Sequence, residues 1–313
     1  MIELLLRTIV VALAWFACIN AIGGVLAVSL GYAIHRREAT RRAWVFLAVR
    51  LLPACLSLCF VGAMLLPAQW ALEPRDAVET LGFTLNALAI AGAALLLRCA
   101  WRAIAVARAS HWAAAGSRPY RRGTPNTYVV DSLPGVSLAG VVRPRILIGR
   151  TVKSLLSRDE LEVAMAHELA HRDAFDNLAR WCMFCAPDFL AGSAIAARLE
   201  HDWHVAAESR ADARAICGDH RRAVHLASAL IKVARLSATS TQRFLVPSWS
   251  TLNDSELLEW RVHRLLSGTL PSTDALPRLS FITVILAVSV LVAAPVVAAP
   301  LHHLTEALIG LLP

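Results

Sequence analysis

Charge is scarce in this chain. Of 313 residues only 17% are charged while 57% are hydrophobic, an apolar share above the about 45–50% of an ordinary soluble domain. A regular cysteine framework is also missing. The seven cysteines are scattered: Cys18, Cys55, Cys59 and Cys99 fall in apolar runs, and Cys182, Cys185 and Cys217 in a segment assigned below to the reducing cytosol, so no disulfide scaffold is implied. Cys182 and Cys185 form a lone CxxC with no second pair and no thioredoxin-like context, which removes a zinc ribbon or redox motif as the natural reading. No repeat of fixed period and no low-complexity tract beyond Ala-rich helical stretches is present. A net charge of +8 and a pI near 9.6 come without any RNA- or DNA-binding signature, so direct nucleic-acid binding is not expected and anionic lipid is the better partner.

What the chain does have is long apolar runs. Those near residues 4–34, 43–72, 80–106 and 281–299 each reach the ~20 residues that cross ~30 Å of hydrocarbon as a helix. The first is too long for the core of a secretory signal, and its basic flank follows it, so it reads as a retained anchor. Arg36, Arg37, Arg41 and Arg42 follow the first run, whereas Glu73, Arg75, Asp76 and Glu79 join the second to the third. Arg98, Arg102, Arg108, Arg118, Arg121 and Arg122 crowd the end of the third. By the positive-inside rule the N-terminus lies outside and the segment after the third run in the cytoplasm. Arg50, near the cytoplasmic end of the second run, reads as a snorkelling side chain that returns its guanidinium to the headgroups.

The organisation that follows is a mainly α membrane protein with four transmembrane helices. Residues 1–108 hold three of them, 109–275 a cytosolic α+β domain, 276–299 the fourth, and 300–313 a short tail. The run 181–197, interrupted by Pro187 and Asp188, is too short for a span; it reads either as domain core or as a segment dipping into the membrane. Within the domain, Thr127–Val130 and Arg145–Ile148 read as short strands around a turn at Pro134 and Gly135. Ser157 with Glu160 three residues on fits a capping box, so a helix begins at Arg158. Its apolar residues point in nearly all directions, the mark of a buried helix.

That helix contains His167, Glu168, Leu169, Ala170 and His171, an HExxH pattern. Residues four apart differ by about 40° around a helix and one turn along it, so both imidazoles can reach one ion. Glu168 can approach a water on that ion without being a ligand, as peptide hydrolysis requires. Two histidines and a glutamate with no metal would leave costly polar groups in a buried helix. Catalytic zinc takes a third protein ligand and keeps one position open. Glu208 is the best candidate; His201, His204 or His220 would make an all-histidine site instead. Asp212, one turn after Glu208, can accept the second ring N–H of a zinc-bound histidine. Asp176, five residues past His171, either supports the site or caps a helix. His302, His303 and Glu306 form a weak ligand-like cluster, better read as a solvated helix face.

Pro134, Gly135, Gly140, Pro144, Arg145 and Ile146, followed by HELAHRDAFDNL and ESRAD, resemble the BlaR/MecR-type antirepressor metallopeptidases of bacterial membranes over residues 128–215. The order of three spans, a zinc domain and a further span is similar too. The resemblance implies a gluzincin-like zinc metallopeptidase domain in the cell (inner) membrane. Its implied site has His167, His171 and Glu208 as zinc ligands, Glu168 as general base, and Asp212 and Asp176 in support. The implied role is a signalling protease whose protein substrate leads to removal of a repressor-type transcriptional regulator. Only Pro300–Pro313 follow the fourth run, so β-lactam sensing by this chain is not expected. Ala211 stands where antirepressor members often carry Cys. ESRAD is equally similar to the heat-shock membrane proteases and CAAX prenyl endopeptidases, which makes a quality-control or prenyl-peptide protease the alternative. A non-catalytic metal-binding transducer is the rival of another class; it would close the fourth metal position with a residue such as His204. A peptide substrate is expected to add to an edge strand at Arg145–Ile148.

Overall fold

The computed structural model describes residues 2–35, 43–72, 82–114, 118–120, 126–131, 133, 135–239, 250–251, 257–268, 300, 303–305 and 307. The fourth apolar run, 281–299, lies outside them, as do His302 and Glu306; His303 is exposed. Three helices are long and apolar enough to cross a membrane: Leu5–Ile34, Ala43–Leu72 and Phe83–Ala109. The first belongs to α1 (Ile2–His35). The second comprises α2 (Ala43–Phe60), a π-helical turn over Val61–Leu65 and α3 (Leu66–Leu72). The third is the apolar part of α4, Phe83–Ala114, which runs past the expected domain boundary at 108. A Cβ added at Gly23 of α1 would lie 2.8 Å from the Pro53 Cα of α2; only glycine permits the two backbones to meet so closely.

A small mixed sheet follows, with strands β1 (Arg118–Pro119), β2 (Thr127–Val130), β3 (Val136–Ala139), β4 (Arg145–Gly149) and β5 (Ser250–Thr251) in the order β1-β2-β4-β3-β5. The two expected strands are present, with β3 between them in sequence. β3 lacks the alternation that marks a half-exposed strand because all four of its residues are buried. β4 is therefore interior, parallel to β2 on one side and antiparallel to β3 on the other. This corrects the expected edge strand at Arg145–Ile148, whose ladder positions are already filled. The outer side of β3 pairs with Ser250 and Thr251 of the chain itself.

Helices α5 (Arg150–Leu155), α6 (Arg158–Asp173), α7 (Asp176–Cys185), α8 (Ala194–Ile216), α9 (His220–Thr239) and α10 (Leu258–Ser267) complete the described chain. α6 begins where its capping box requires: the Glu160 N–H donates to Ser157 Oγ at 3.2 Å and the Ser157 N–H to Glu160 Oε2 at 2.8 Å. Its apolar side joins β3, β4 and α9 in one core containing Leu138, Ile148, Leu161, Leu226 and Leu230. A second core joins α8 to α1 and α2, through Leu199, Trp203 and Ala207 against Ala27, Ala43 and Phe46. The site-bearing helices are thus packed onto the apolar ones.

Arg50 does not snorkel. It is 1% exposed and turns inward, donating to Asp188 Oδ2 at 2.8 Å, Glu200 Oε1 at 2.6 Å and the Met183 carbonyl at 3.2 Å. A guanidinium with carboxylate partners within reach keeps its charge inside the protein, whereas snorkelling is the solution for one that has none.

Candidate metal centre

α6 breaks one turn after the second histidine because Phe175 adopts a left-handed conformation, φ 56°, at a cost of about 1–2 kcal/mol for a residue bearing a Cβ. The break turns the chain so that Asp176, the first residue of α7, faces back along α6. The Asn177 amide pins this turn to the sheet, donating to the carbonyls of Leu138 at 2.7 Å and Gly140 at 2.8 Å. α8 crosses α6 and brings Glu208 and Asp212 to the same place from the opposite side.

His167, His171 and Glu208 are each 0% exposed, and their candidate ligand atoms lie within 4.8 Å of one another. The two Nε2 atoms are 3.0 Å apart. Glu208 places Oε2 3.4 Å from the first and Oε1 3.5 Å from the second. These separations match the edge of a tetrahedron with zinc–nitrogen bonds of ~2.0–2.1 Å, roughly 3.3 Å. His171 Nδ1 lies 2.7 Å from Asp176 Oδ2, and His167 Nδ1 3.0 Å from Asp212 Oδ1. A carboxylate that accepts the Nδ1–H leaves Nε2 as a lone pair. Both Nε2 atoms then face each other and a carboxylate, an arrangement that favours a positive charge between them, whether a proton or a metal ion. The residues present therefore fit a metal ion, and among the described residues they form the one such group.

Two arginines hold the aspartates beside the rings. Arg210 donates to Asp176 Oδ1 at 2.6 Å. Arg261 of α10 grips Asp212 with two bonds of 2.6 and 3.0 Å and places Nη1 3.0 Å from Glu208 Oε2. Burial alone would raise the pKa of Glu208, but Arg261 and His171 outweigh it and hold the carboxyl well below the usual range. Asp212 is depressed in the same way against its burial, again mainly by Arg261. Burial disfavours a charged His171, yet Glu208 and Asp176 raise its pKa to about 10. With these carboxylates the pocket is built to hold positive charge.

Glu168 differs from every other acid here. It is 0% exposed, and neither carboxylate oxygen has a hydrogen-bond partner. Burial pushes its pKa up to about 7, partly opposed by the two histidines. A carboxyl balanced near neutrality can take and return a proton, which is what a general base must do.

The structure brings together His167, His171, Glu208, Asp212, Asp176 and Glu168. Of the other histidines considered, His201 and His220 are exposed, and His204 borders the group without joining it, its Nδ1 2.8 Å from Arg180 Nη2 and 3.6 Å from Glu208 Oε1. Asp176 supports His171 rather than capping α7, which begins without a side-chain cap. Arg261 was missed by sequence reasoning. Its signal was present: on α10, Leu258, Val262 and Leu265 make an apolar stripe, and Arg261 lies within it, a buried charge in search of partners. Arg180, stacked on Trp203 at 5.3 Å and 3.4 Å from Glu208 Oε1, gave no comparable sign.

No family model matches the chain, and no curated protein matches it.

Proposed function

We propose that this chain is a membrane-embedded zinc-dependent endopeptidase. His167, His171 and Glu208 would hold the zinc ion. A zinc ion bound there would lower the pKa of its water toward 7 and polarise the scissile carbonyl. Glu168 takes the proton from the attacking water and returns it to the leaving amine. Asp176 fixes the His171 tautomer with Nε2 free, Asp212 stands 3.0 Å from His167 Nδ1, and Arg261 holds Asp212 and Glu208 in place. The observation that carries this reading is a buried carboxylate without a hydrogen-bond partner, Glu168, beside three converging donor atoms that could hold a metal ion. A purely structural zinc site has no use for such a group and would close its fourth position; His204, the expected fourth ligand of a non-catalytic transducer, lies 2.8 Å from Arg180 Nη2 and 3.6 Å from Glu208 Oε1 and is not one of the converging donors.

The resemblance to the BlaR/MecR-type antirepressors supports a signalling protease of the cell (inner) membrane, with the N-terminus outside and the zinc domain cytoplasmic. Its substrate would then be a protein that controls a repressor-type regulator. Distribution of arginines around the three apolar helices supports the same orientation. Metal content and proteolysis of the wild type and Glu168→Ala in liposomes test the reading. It requires about one zinc in both proteins and chelator-sensitive cleavage of a protein substrate by the wild type alone; equal cleavage, or none in either with zinc bound, would remove Glu168 as the base.

A further inference from the structure

The segment after α7 lies deep among the apolar helices. The Asn20 amide donates to the Pro187 carbonyl at 2.8 Å and accepts from the Phe189 N–H at 3.1 Å, and also donates to Ser57 Oγ at 3.1 Å. Asn20 stands at the middle of Leu5–Ile34 and Ser57 at the middle of Ala43–Leu72. A helix of that length is ~45 Å, longer than the ~30 Å of hydrocarbon. Slid to either extreme, it still keeps Asn20 at least about 7 Å inside the apolar layer.

Irregular backbone at such depth is tolerated only when its polar groups are satisfied within the protein, and many of them are. The carbonyls of Met183 and Phe184 accept from Arg50 at 3.2 Å and Arg102 at 2.9 Å. Arg98 donates to the carbonyls of Ala186 and Asp188. The Asp188 carboxylate, 0% exposed, takes Arg50 on one oxygen and the Ala191 N–H at 3.0 Å on the other. Depth also runs in order. On α4 the partner of Phe184 lies one turn nearer the helix end than the partner of Ala186. α8 then climbs along α1, with Ile195 3.0 Å from where a Cβ on Gly31 would stand.

Height above this loop follows from helix lengths. α7 has ten residues, ~15 Å by helical rise and half the hydrocarbon thickness. Asp176, against His171, stands at its upper end. Ala207, next to Glu208, packs in one cluster with Ala43, the first residue of α2. Both measures bring the metal centre to the level where the apolar helices end.

We propose that α7, the loop 186–193 and α8 form a re-entrant hairpin that reaches the middle of the bilayer and sets the metal centre at the membrane surface, where it cuts a peptide segment held there by a membrane anchor. The substrate class rests on the endopeptidase reading; the depth of the hairpin does not. A site fixed at the boundary reaches a chain within about ten residues of its anchor, whether that anchor is an apolar helix or a lipid.

The unmodified protein in liposomes provides the test of depth. Phospholipids carrying a photoactivatable diazirine at mid-chain should tag Phe189, which is 48% exposed, whereas hydroxyl radicals generated in water should oxidise Phe175 and spare Phe189. Equal oxidation of both, with no lipid tag on residues 186–193, would overturn the hairpin. For the substrate, casein is supplied free, joined to a phospholipid headgroup, or fused to an apolar helix, and cut positions are mapped by mass spectrometry. Cuts should cluster within about ten extended residues, ~35 Å, of the anchor. Clustering in one anchored form alone identifies the anchor; cuts spread evenly along anchored casein would overturn the substrate class. Tagging of Phe189 with zinc bound and no cleavage of any casein would leave the hairpin standing and remove the endopeptidase reading instead.

Discussion

Two groups of buried charge lie at opposite ends of α7, and they are built on opposite principles. At the lower end Arg50 donates to the buried Asp188, to the half-buried Glu200 and to the Met183 carbonyl. At the upper end the acceptors of His167, His171 and Glu208 converge on a common point, and the Glu168 oxygens have no partner at all. A buried ion pair that closes on itself balances its own desolvation. Acceptors left facing one another do not, and their arrangement persists because surrounding arginines and aspartates hold it. The first group closes on itself; the second could hold a metal ion.

This contrast is sharpest if stability and activity separate. Glu168→Gln is expected to reduce cleavage by roughly 10²–10⁴-fold, the usual contribution of a general base, while leaving thermal stability in detergent unchanged or slightly raised, because it removes an unpaired buried carboxylate. A large fall in melting temperature would show that Glu168 has a structural partner. Arg50→Ala should do the reverse on the other side. It abandons Asp188 in an apolar layer and should cost about 3–5 kcal/mol of stability, whereas the paired change Arg50→Met with Asp188→Leu should recover most of it. Unfolding curves of the three variants check this, and a double variant no better than the single one would break the comparison.

A smaller effect is expected where the two ends of α7 meet their own supports. Asp176→Asn keeps the shape but weakens the hold on the His171 Nδ1–H, and should lower zinc affinity by about 10–100-fold in a chelator competition. Unchanged affinity would make Asp176 a bystander. The smallest effect belongs to Glu160, a buried acid outside both groups. Burial opposes its charge, but Lys232 and Ser228, each bonded to it, and the Ser157 N–H lower its pKa to about 2. A depressed acid contributes stability that is present above its unfolded pKa, near 4.3, and is lost as pH falls toward 2. Glu160→Gln should therefore cost about 1–2 kcal/mol at pH 7 and little at pH 2.5, as read from melting temperature; a difference that persists in acid would point to packing rather than charge.

Local chemistry was legible. The capping box at Ser157 and Glu160 set the start of α6, and the 3.6-residue period alone brought His167 and His171 to one face. Glu208 and Asp212 could be paired for the same reason, since a shared helical face is a property of spacing. The two strands at Thr127–Val130 and Arg145–Ile148 were visible in the sequence, the second running one residue further, to Gly149. β3 escaped because a strand buried on both faces does not alternate. Arg50 was misread as snorkelling because its partners, Asp188 and Glu200, lie more than a hundred residues away.

By itself, then, the sequence determined three apolar helices, the buried helix α6 and the donor pairs within α6 and within α8, all consequences of composition and helical period acting over a few turns. Only the tertiary structure decided that α6 and α8 cross so that Glu208 reaches both Nε2 atoms, that Arg261 of α10 closes on Asp212, and that the loop after α7 lies against Asn20. Those contacts join segments distant along the chain, and no local period encodes them; they exist because buried charges and irregular backbone must find partners wherever the fold supplies them.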